Sequence, residues 1–487
     1  MAAAVPAQVT NVSPYSRFGI GDLQFRGVAR QEALGGTAMG QYSQYHINML
    51  NPASYSAITL TAFDVAGSGI ISSMNNGQQQ QLSNASSLAY FMLAAPLKAA
   101  KGGMSFGLVP FSNRGYSIDE LVTDQNNLRQ VSNYEGKGGL SQLYMGMGWE
   151  VARNFRLGAN VSYLFGGLTN TRSLDYTNST SYRSLALRER INAGNFQFNV
   201  GFQYTVDSIK ISRSDSLVKN FDQQHKLQKL RGEWQHRLRN LASEAPNTAG
   251  GNEKLQEITA RLDSIDRALV LVKKERSTIG LRTKKDQWSF TFGANVAPQT
   301  SLNAVRSLFV ESYIFSNDQR VDVDTLVNTD QEKGKLIIPL MAQLGIGLKK
   351  GSQWWIGADV SYQAWQNYRL FDQADSLLNT TRAMVGIQFT PNDRNSTSYF
   401  QAMQYRAGAY YSTDWLKIRG AGINERGVSC GIGLPFRRKQ DTFGMLNLTA
   451  QFGERGTLSQ GLIKEKFARL TFGLIFNQAW FYRPKYD

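Results

Sequence analysis

No part of this chain approaches the ~18 uninterrupted apolar residues of a membrane helix. Yet from about residue 62 its hydrophobic pattern alternates with a period of two, in segments bounded by turn residues. Such segments are half-buried strands. Upward strands are expected near 62–74, 103–117, 156–170, 287–300, 354–368, 403–417 and 443–456, and downward strands near 87–98, 139–152, 190–206, 335–349, 380–391, 426–437 and 466–481. That makes about 14, an even number, as in single-chain bacterial barrels. A closed barrel leaves no backbone group unpaired in lipid, which makes it the other way through a bilayer. The expected fold class is therefore all-β, a transmembrane outer-membrane barrel of antiparallel strands.

Composition agrees. Charged residues are 18% of the 487, below the usual quarter of a soluble protein, while 45 Gly, 26 Phe and 21 Tyr leave too much aromatic surface for disorder. The connections have a polarity. Lys98–Gly103, Arg153-Asn154 and Lys349–Gln353 are short, whereas long loops are expected near 75–86, 118–138, 171–186 and 314–333. Short turns belong in the periplasm and long loops outside. Paired aromatics at Trp354-Trp355, Tyr410-Tyr411 and Trp480-Phe481-Tyr482 suit the membrane interfaces. Leu308-Phe309-Val310 and Tyr313-Ile314-Phe315 are either greasy loop residues at the outer mouth or strand continuing beyond the membrane.

The formal charge is +16. No nucleic-acid motif accompanies it, so no nucleic-acid partner is expected, and outer-membrane lipid and lipopolysaccharide are the physical partners for a basic rim. Cys430 stands alone, and His46, His225 and His236 are too few and too dispersed for a metal site. There is no Ser/His/Asp arrangement, phosphate loop or Cys/His spacing. No catalytic residue, metal, cofactor or enzymatic activity is therefore expected. Gly345-Ile-Gly347 and Gly431-Ile-Gly433 lie inside strands, where glycine relieves crowding or allows bends. Residues 1–8, with their Ala-rich start, resemble the end of a secretory signal peptide.

One region breaks the β pattern. Leu255, Ile258, Leu262, Ile265, Leu269 and Val272 follow heptad spacing. Leu217, Phe221, Leu227, Leu230, Trp234, Leu238 and Leu241 offer a looser seam, and Pro246, Gly250 and Gly251 mark a turn between the two. This predicts a helical hairpin over 210–285, leaving the sixth strand and entering the seventh. It would project roughly 40 Å into the periplasm at 1.5 Å per residue. The seams are internal packing, and Trp234, Arg237, Arg261 and Arg267 are the candidate partner-binding residues.

Ala33-Leu34-Gly35-Gly36-Thr37-Ala38, followed by Asn51-Pro52-Ala53-Ser54, resembles the N-terminal hatch of FadL-like outer-membrane proteins, the long-chain fatty acid transporter family. Ser54 stands where that family usually has Gly. The resemblance implies fourteen strands plugged by a hatch over residues 9–60, with Leu34, Gly35, Gly36, Asn51, Pro52 and Ala53 at its centre. It implies strands 1–6 over 61–209 and strands 7–14 over 286–487, with the helical hairpin as an addition. It also implies a kinked third strand that opens a lateral gap, here at Pro110, Phe111, Asn113 and Gly115. Two functions follow as expectations. One is passive uptake of hydrophobic small molecules. The alternative is an accessory or scaffold barrel of an outer-membrane protein export or assembly complex, docking periplasmic or outer-membrane proteins through the hairpin.

Overall fold

A computed structural model describes residues 13–98, 100–123, 129–176, 182–207, 213–244, 249–281, 288–316, 319–391, 398–439 and 442–478. The signal-like residues 1–8 lie outside the described residues. The chain divides into two units, Met1–Val206 with Ser289–Asp487, and Asp207–Trp288.

The first unit is a closed antiparallel barrel of 14 staves among the described residues. They are β1 (Thr61–Asn75), β2 (Gln80–Lys98), β3 (Gly102–Thr123), β4 (Arg129–Ala152), β5 (Phe155–Tyr176) and β6 (Ser184–Asp207). Next come β7 in two pieces (Trp288–Ala297 and Thr300–Ser316) and β8 in two pieces (Gln319–Ile338 and Met341–Lys350). Then follow β9 (Trp354–Gln363), β10 (Thr380–Phe389), β11 (Gln404–Ser412), β12 (Glu425–Lys439), β13 (Thr442–Gly456) and β14 (Lys464–Gln478). The breaks in β7 and β8 fall at Pro298 and Pro339, where proline removes a ladder donor. First and last strands close the barrel from Thr61↔Gln478 to Asn75↔Lys464.

The alternation is that of a barrel in lipid. On β6 the outward Phe196, Phe198 and Val200 are each more than half exposed, while the intervening Gln197 is buried. On β4 the outward Leu143, Met145 and Met147 alternate with buried Gln142 and Tyr144. Apolar side chains face out and polar ones in, the reverse of a soluble barrel. Among the described residues no helix is long and apolar enough to cross a membrane.

The expected long loops are a correction. Residues 75–86, 118–138, 171–186 and 314–333 lie largely within strands that run on beyond the apolar band. Their polar alternation keeps period two, and outside the membrane the ladder still satisfies the backbone. Leu308–Phe315 is likewise strand. The structure instead has inserted loops at 364–379 and 413–424, where β9, β10 and β11 stop after 10, 10 and 9 residues. Trp365, Tyr368, Leu377, Trp415, Leu416 and Ile423 from those loops join Leu164, Leu168, Ile191 and Leu336 of the longer strands in one buried core.

The second unit is an antiparallel helical pair, α1 (Arg213–Glu244) and α2 (Ala249–Leu281). The heptad positions Leu255, Ile258, Leu262, Ile265 and Leu269 are half-buried and Val272 is buried, so the seam faces the partner helix. Leu227, Trp234, Leu238 and Leu241 are half-buried opposite it, and Leu230 is exposed. Arg231 bridges to Asp266 at 2.8 Å across the pair.

Candidate functional site

Residues 13–60 lie inside the barrel, held by close approach to wall glycines and by buried polar bonds. A Cβ on Gly408 would stand 2.1 Å from the Gly35 nitrogen, and one on Gly293 would stand 2.0 Å from the Met39 carbonyl oxygen. Gly345, Gly347 and Gly431, read from sequence as relieving crowding or allowing bends, also face this segment. Glycine is needed there because the segment's backbone occupies the place of a side chain.

Leu34 is fully buried, and Gly35 and Gly36 turn the chain with φ of 71° and 96°. The Gly35 N–H donates to Ser429 Oγ at 3.0 Å. Asn51 caps a short 3₁₀ helix (Pro52–Ala57) by accepting from the Ala53 N–H. Its Nδ2 donates to the carbonyls of Met39 and Phe202, both at 3.2 Å. Pro52 packs against the positions where Gly148 and Gly158 lack a Cβ. Sequence reasoning missed Asp359, whose Oδ2 accepts from the N–H groups of Ala38 (2.6 Å) and Met39 (2.9 Å) and from Gln343 Nε2 (3.0 Å). A single Asp in a period-two strand carries no signal that it will meet a distant backbone.

Near the short-turn end, Arg30 Nε and Arg406 Nε both donate to Gln388 Oε1, at 3.0 and 3.1 Å. Burial pushes the Arg30 guanidinium down to about 10. His46 lies near this pair. Burial, with the charges of Arg30 and Arg406, holds its imidazole well below its ordinary value, so it is neutral.

A void lined by residues of the N-terminal segment and of the barrel wall has a volume of about 260 Å³. Its lining is rich in charge and amides, including Arg26, Arg382, Asp414, Arg455, Glu465 and Arg469. Arg455 bridges Asp22 and Asp414, each at 2.6 Å.

The third strand is interrupted on one side only. The β3–β4 ladder runs from Gly102↔Trp149 to Thr123↔Arg129, with a bulge between Pro110 and Ser112. The β2–β3 ladder stops at Phe91↔Leu108. Beyond that point the free edge of β3 takes the N-terminal segment instead. Leu23 pairs with Ser112 and Asp22 with Asn113. The Gln24 N–H donates to the Phe111 carbonyl at 3.0 Å, and the Ser13 N–H to the Gly115 carbonyl at 2.9 Å. The Phe111 ring is buried, with the Arg26 guanidinium 5.0 Å from its centroid. Pro110, Phe111, Asn113 and Gly115 therefore sit together along an edge that residues 13–24 occupy.

In the helical pair, Trp234 lies between Arg237 and Arg261, 4.9 and 5.0 Å from the ring centroid. Arg267 points elsewhere, its Nε 3.3 Å from the Asp263 carbonyl. The structure thus brings three of the four hairpin residues together around one ring. Among the described residues no group of three or more His, Cys, Asp or Glu side chains could hold a metal ion.

The BamG family model matches residues 1–288 and 277–487. The chain belongs to the BamG family. No curated protein matches it. Among solved structures, it is similar to the Pseudomonas putida toluene transporter TodX. The TM-score is 0.52 at 13% identity, over 95% of this chain and 100% of that one. A Pseudomonas aeruginosa FadL homologue gives a TM-score of 0.50 at 11% identity, over 95% of this chain and 99% of that one. Identities this low establish the fold alone. The chain is a BamG-family protein whose barrel has the same fold as these structures.

Proposed function

We propose that this chain is a non-transporting accessory or scaffold barrel in an outer-membrane protein export or assembly complex of a Gram-negative bacterium. In this reading residues 9–60 are a fixed hatch. The hairpin over 210–285 docks periplasmic or outer-membrane proteins and projects into the periplasm. The observation that carries the proposal is the lining of the lumen. A hydrophobic solute crossing it would strip water from Arg26, Arg382 and Arg469 without replacing their hydrogen bonds, which is costly. Many buried bonds between the N-terminal segment and the wall also favour a static role. The helical pair, built of helices of 32 and 33 residues, contributes nothing to the barrel's own ladder.

The second reading, passive transport of hydrophobic small molecules with a lateral exit, is favoured by one observation, the end of the β2–β3 ladder at Phe91↔Leu108. In that reading residues 13–24 move off the β3 edge to open a gap beside Pro110–Gly115.

Purification in gentle detergent of the full chain and of a chain with residues 214–278 replaced by a short turn separates the two. The scaffold reading expects a defined protein at fixed stoichiometry with the full chain, lost from the shortened one, while both remain heat-modifiable barrels. Two proteins that run alone and carry the same hydrophobic ligand would overturn it in favour of transport.

A further inference from the structure

Above the apolar band, one side of the barrel carries basic residues that the protein itself leaves unneutralised. Ladder register fixes which way they point. On β6, Glu189, Ile191 and Ala193 face inward, Glu189 toward Arg306 and Ile191 into the buried core. Arg188, Arg190 and Asn192 therefore face outward, and all three are exposed. Arg190 stands opposite Thr169 of β5, which stands opposite Lys137 of β4. On the other side, Asn192 faces Val305 of β7, which faces Lys333 of β8, and Gly194 faces Asn303, which faces Lys335. Lys137, Arg188, Arg190, Lys333 and Lys335 thus share the outer face of five consecutive strands. At ~4.8 Å per strand spacing the patch is roughly 20 Å wide.

Its position is as informative as its charge. Immediately below lie Tyr163, Phe165 and Phe196, with Tyr163 6.0 Å from Phe165 and 5.2 Å from Phe196 between ring centroids. Such outward aromatics mark a membrane interface. Below them Phe198 and Val200 continue the apolar face. The basic residues therefore sit at the headgroup level of the leaflet at the tall end. Lys137 pairs with Glu135 at 2.6 Å, and Arg188, Arg190, Lys333 and Lys335 pair with no acid among the described residues. On the other rim two basic residues are satisfied internally. Arg426 and Lys464 both lie on Glu454, the lysine at 3.0 Å.

We propose that the outer face of β4–β8 binds a phosphorylated glycolipid of the outer leaflet, lipopolysaccharide, through Arg188, Arg190, Lys333 and Lys335, with Lys137, Asn192 and Asn303 beside them. The tall end is the extracellular end, because short turns face the periplasm in such barrels. Guanidinium and ammonium groups hold phosphate oxygens by charge-assisted hydrogen bonds, and the aromatics beneath them pack on the acyl chains. The proposal does not depend on whether the lumen conducts or the hairpin docks a partner.

The test uses the full chain and a variant carrying R188Q, R190Q, K333Q and K335Q, whose exposed positions leave the ladder intact. A second variant replaces the same two arginines by lysine. A third carries R426Q and K464Q on the other rim. Heat-modifiability on gels checks that each barrel is folded. Each protein, stripped of lipid in detergent, is offered lipopolysaccharide, dephosphorylated lipopolysaccharide, phosphatidylglycerol or inorganic phosphate, and retained lipid is counted by native mass spectrometry. The quadruple variant should bind lipopolysaccharide at least about tenfold more weakly. The lysine variant and the other-rim variant should bind like the parent. Dephosphorylated glycolipid should bind parent and quadruple variant alike, and weakly. Equal binding of lipopolysaccharide by parent and quadruple variant overturns the proposal. So does phosphatidylglycerol retained as strongly as lipopolysaccharide, which would make the patch a general anion surface. Loss in the other-rim variant as large as in the quadruple one also overturns it.

Discussion

The two sides of the barrel spend their residues differently. β9, β10 and β11 have 10, 10 and 9 residues, about the minimum that crosses a bilayer. β4, β5 and β6 have 24, 22 and 24. On the low side, residues beyond the membrane go into the loops 364–379 and 413–424, which fold inward. On the tall side they continue as ladder and form a wall against which those loops pack. Trp365, Tyr368 and Trp415 meet Leu164, Leu168, Ile191 and Leu336 in a core resembling that of a soluble domain. The lesson is that strand length in this barrel is set by what a strand supports outside the lipid, and the bilayer sets only the minimum.

If the low side contributes packing and the tall side a backing surface, the largest loss should follow removal of the loop anchor. Trp365 is fully buried, with its ring 4.1 Å from that of Trp415. Trp365→Ala should cost about 4 kcal/mol of stability, read as urea unfolding of the protein in lipid vesicles. It should also make loops 364–379 and 413–424 sensitive to protease while the barrel stays heat-modifiable. Resistant loops in that variant would break the comparison, because the wall would then be holding them without their anchor.

The next effect is on the N-terminal segment, again from the low side. Asp359→Ala on β9 leaves the buried Ala38 and Met39 N–H groups without their acceptor, at a cost of about 3 kcal/mol. On the tall side, Asn160 of β5 donates to the Met49 carbonyl and accepts from Tyr55 Oη, both at 3.1 Å. Asn160→Ala should cost less, about 1–2 kcal/mol, because neutral bonds contribute less than bonds to a carboxylate. Equal losses would place the segment's support evenly around the barrel.

The outline of this fold was legible because period-two alternation and heptad spacing are local signals, and each survived in the structure. Phe196, Phe198 and Val200 point outward where alternation put them, and Leu255 to Val272 face the partner helix. The Leu34–Gly36 and Asn51–Ala53 motifs lie inside the barrel. The tall wall was not legible as strand, because Gln319–Lys335 is mostly charged and amide residues with only four apolar ones and reads like loop; only pairing with β7 makes it ladder. The infolded loops were hidden for the opposite reason. Trp365, Tyr368 and Trp415 fall within the strands expected near 354–368 and 403–417, and nothing in one sequence tells an interfacial aromatic from a core one. The partners of Asp359 and Gly408 lie more than 300 residues away, beyond any local pattern.

A pH change probes the low side more gently. His46 is neutral when folded, because burial and the neighbouring Arg30 and Arg406 disfavour its charged form. Unfolded, it takes up a proton near 6.5. The unfolded state therefore binds more protons below that value, so this contribution is present above pH 6.5 and is lost as pH falls, by up to about 1.4 kcal/mol per pH unit. His46→Gln should flatten the difference in urea midpoint between pH 7.5 and 5.5. An unchanged slope would mean that other groups carry the acid sensitivity.

The smallest effect belongs to the ion pairs of the tall wall. Arg306 Nη2 lies 2.6 Å from Glu332 of the edge strand and Nη1 3.8 Å from Glu189, with its guanidinium 4.7 Å from the Phe371 ring centroid. Glu332 is two-fifths exposed, so solvent screens the pair, and Glu332→Ala should cost no more than about 0.5 kcal/mol. The same change also removes one charge from the strand whose other edge is unpaired at that level among the described residues. Its ladder to β7 already shifts register three times between Asp322 and Glu332. Bulges and charges are how free edges avoid pairing with other chains. A double change, Glu332→Val with Lys333→Val, should thus leave stability nearly constant yet raise self-association in detergent, measured by sedimentation. If the wall stays monomeric with its edge made apolar, the bulges alone protect it, and its height needs no charge to be safe in water.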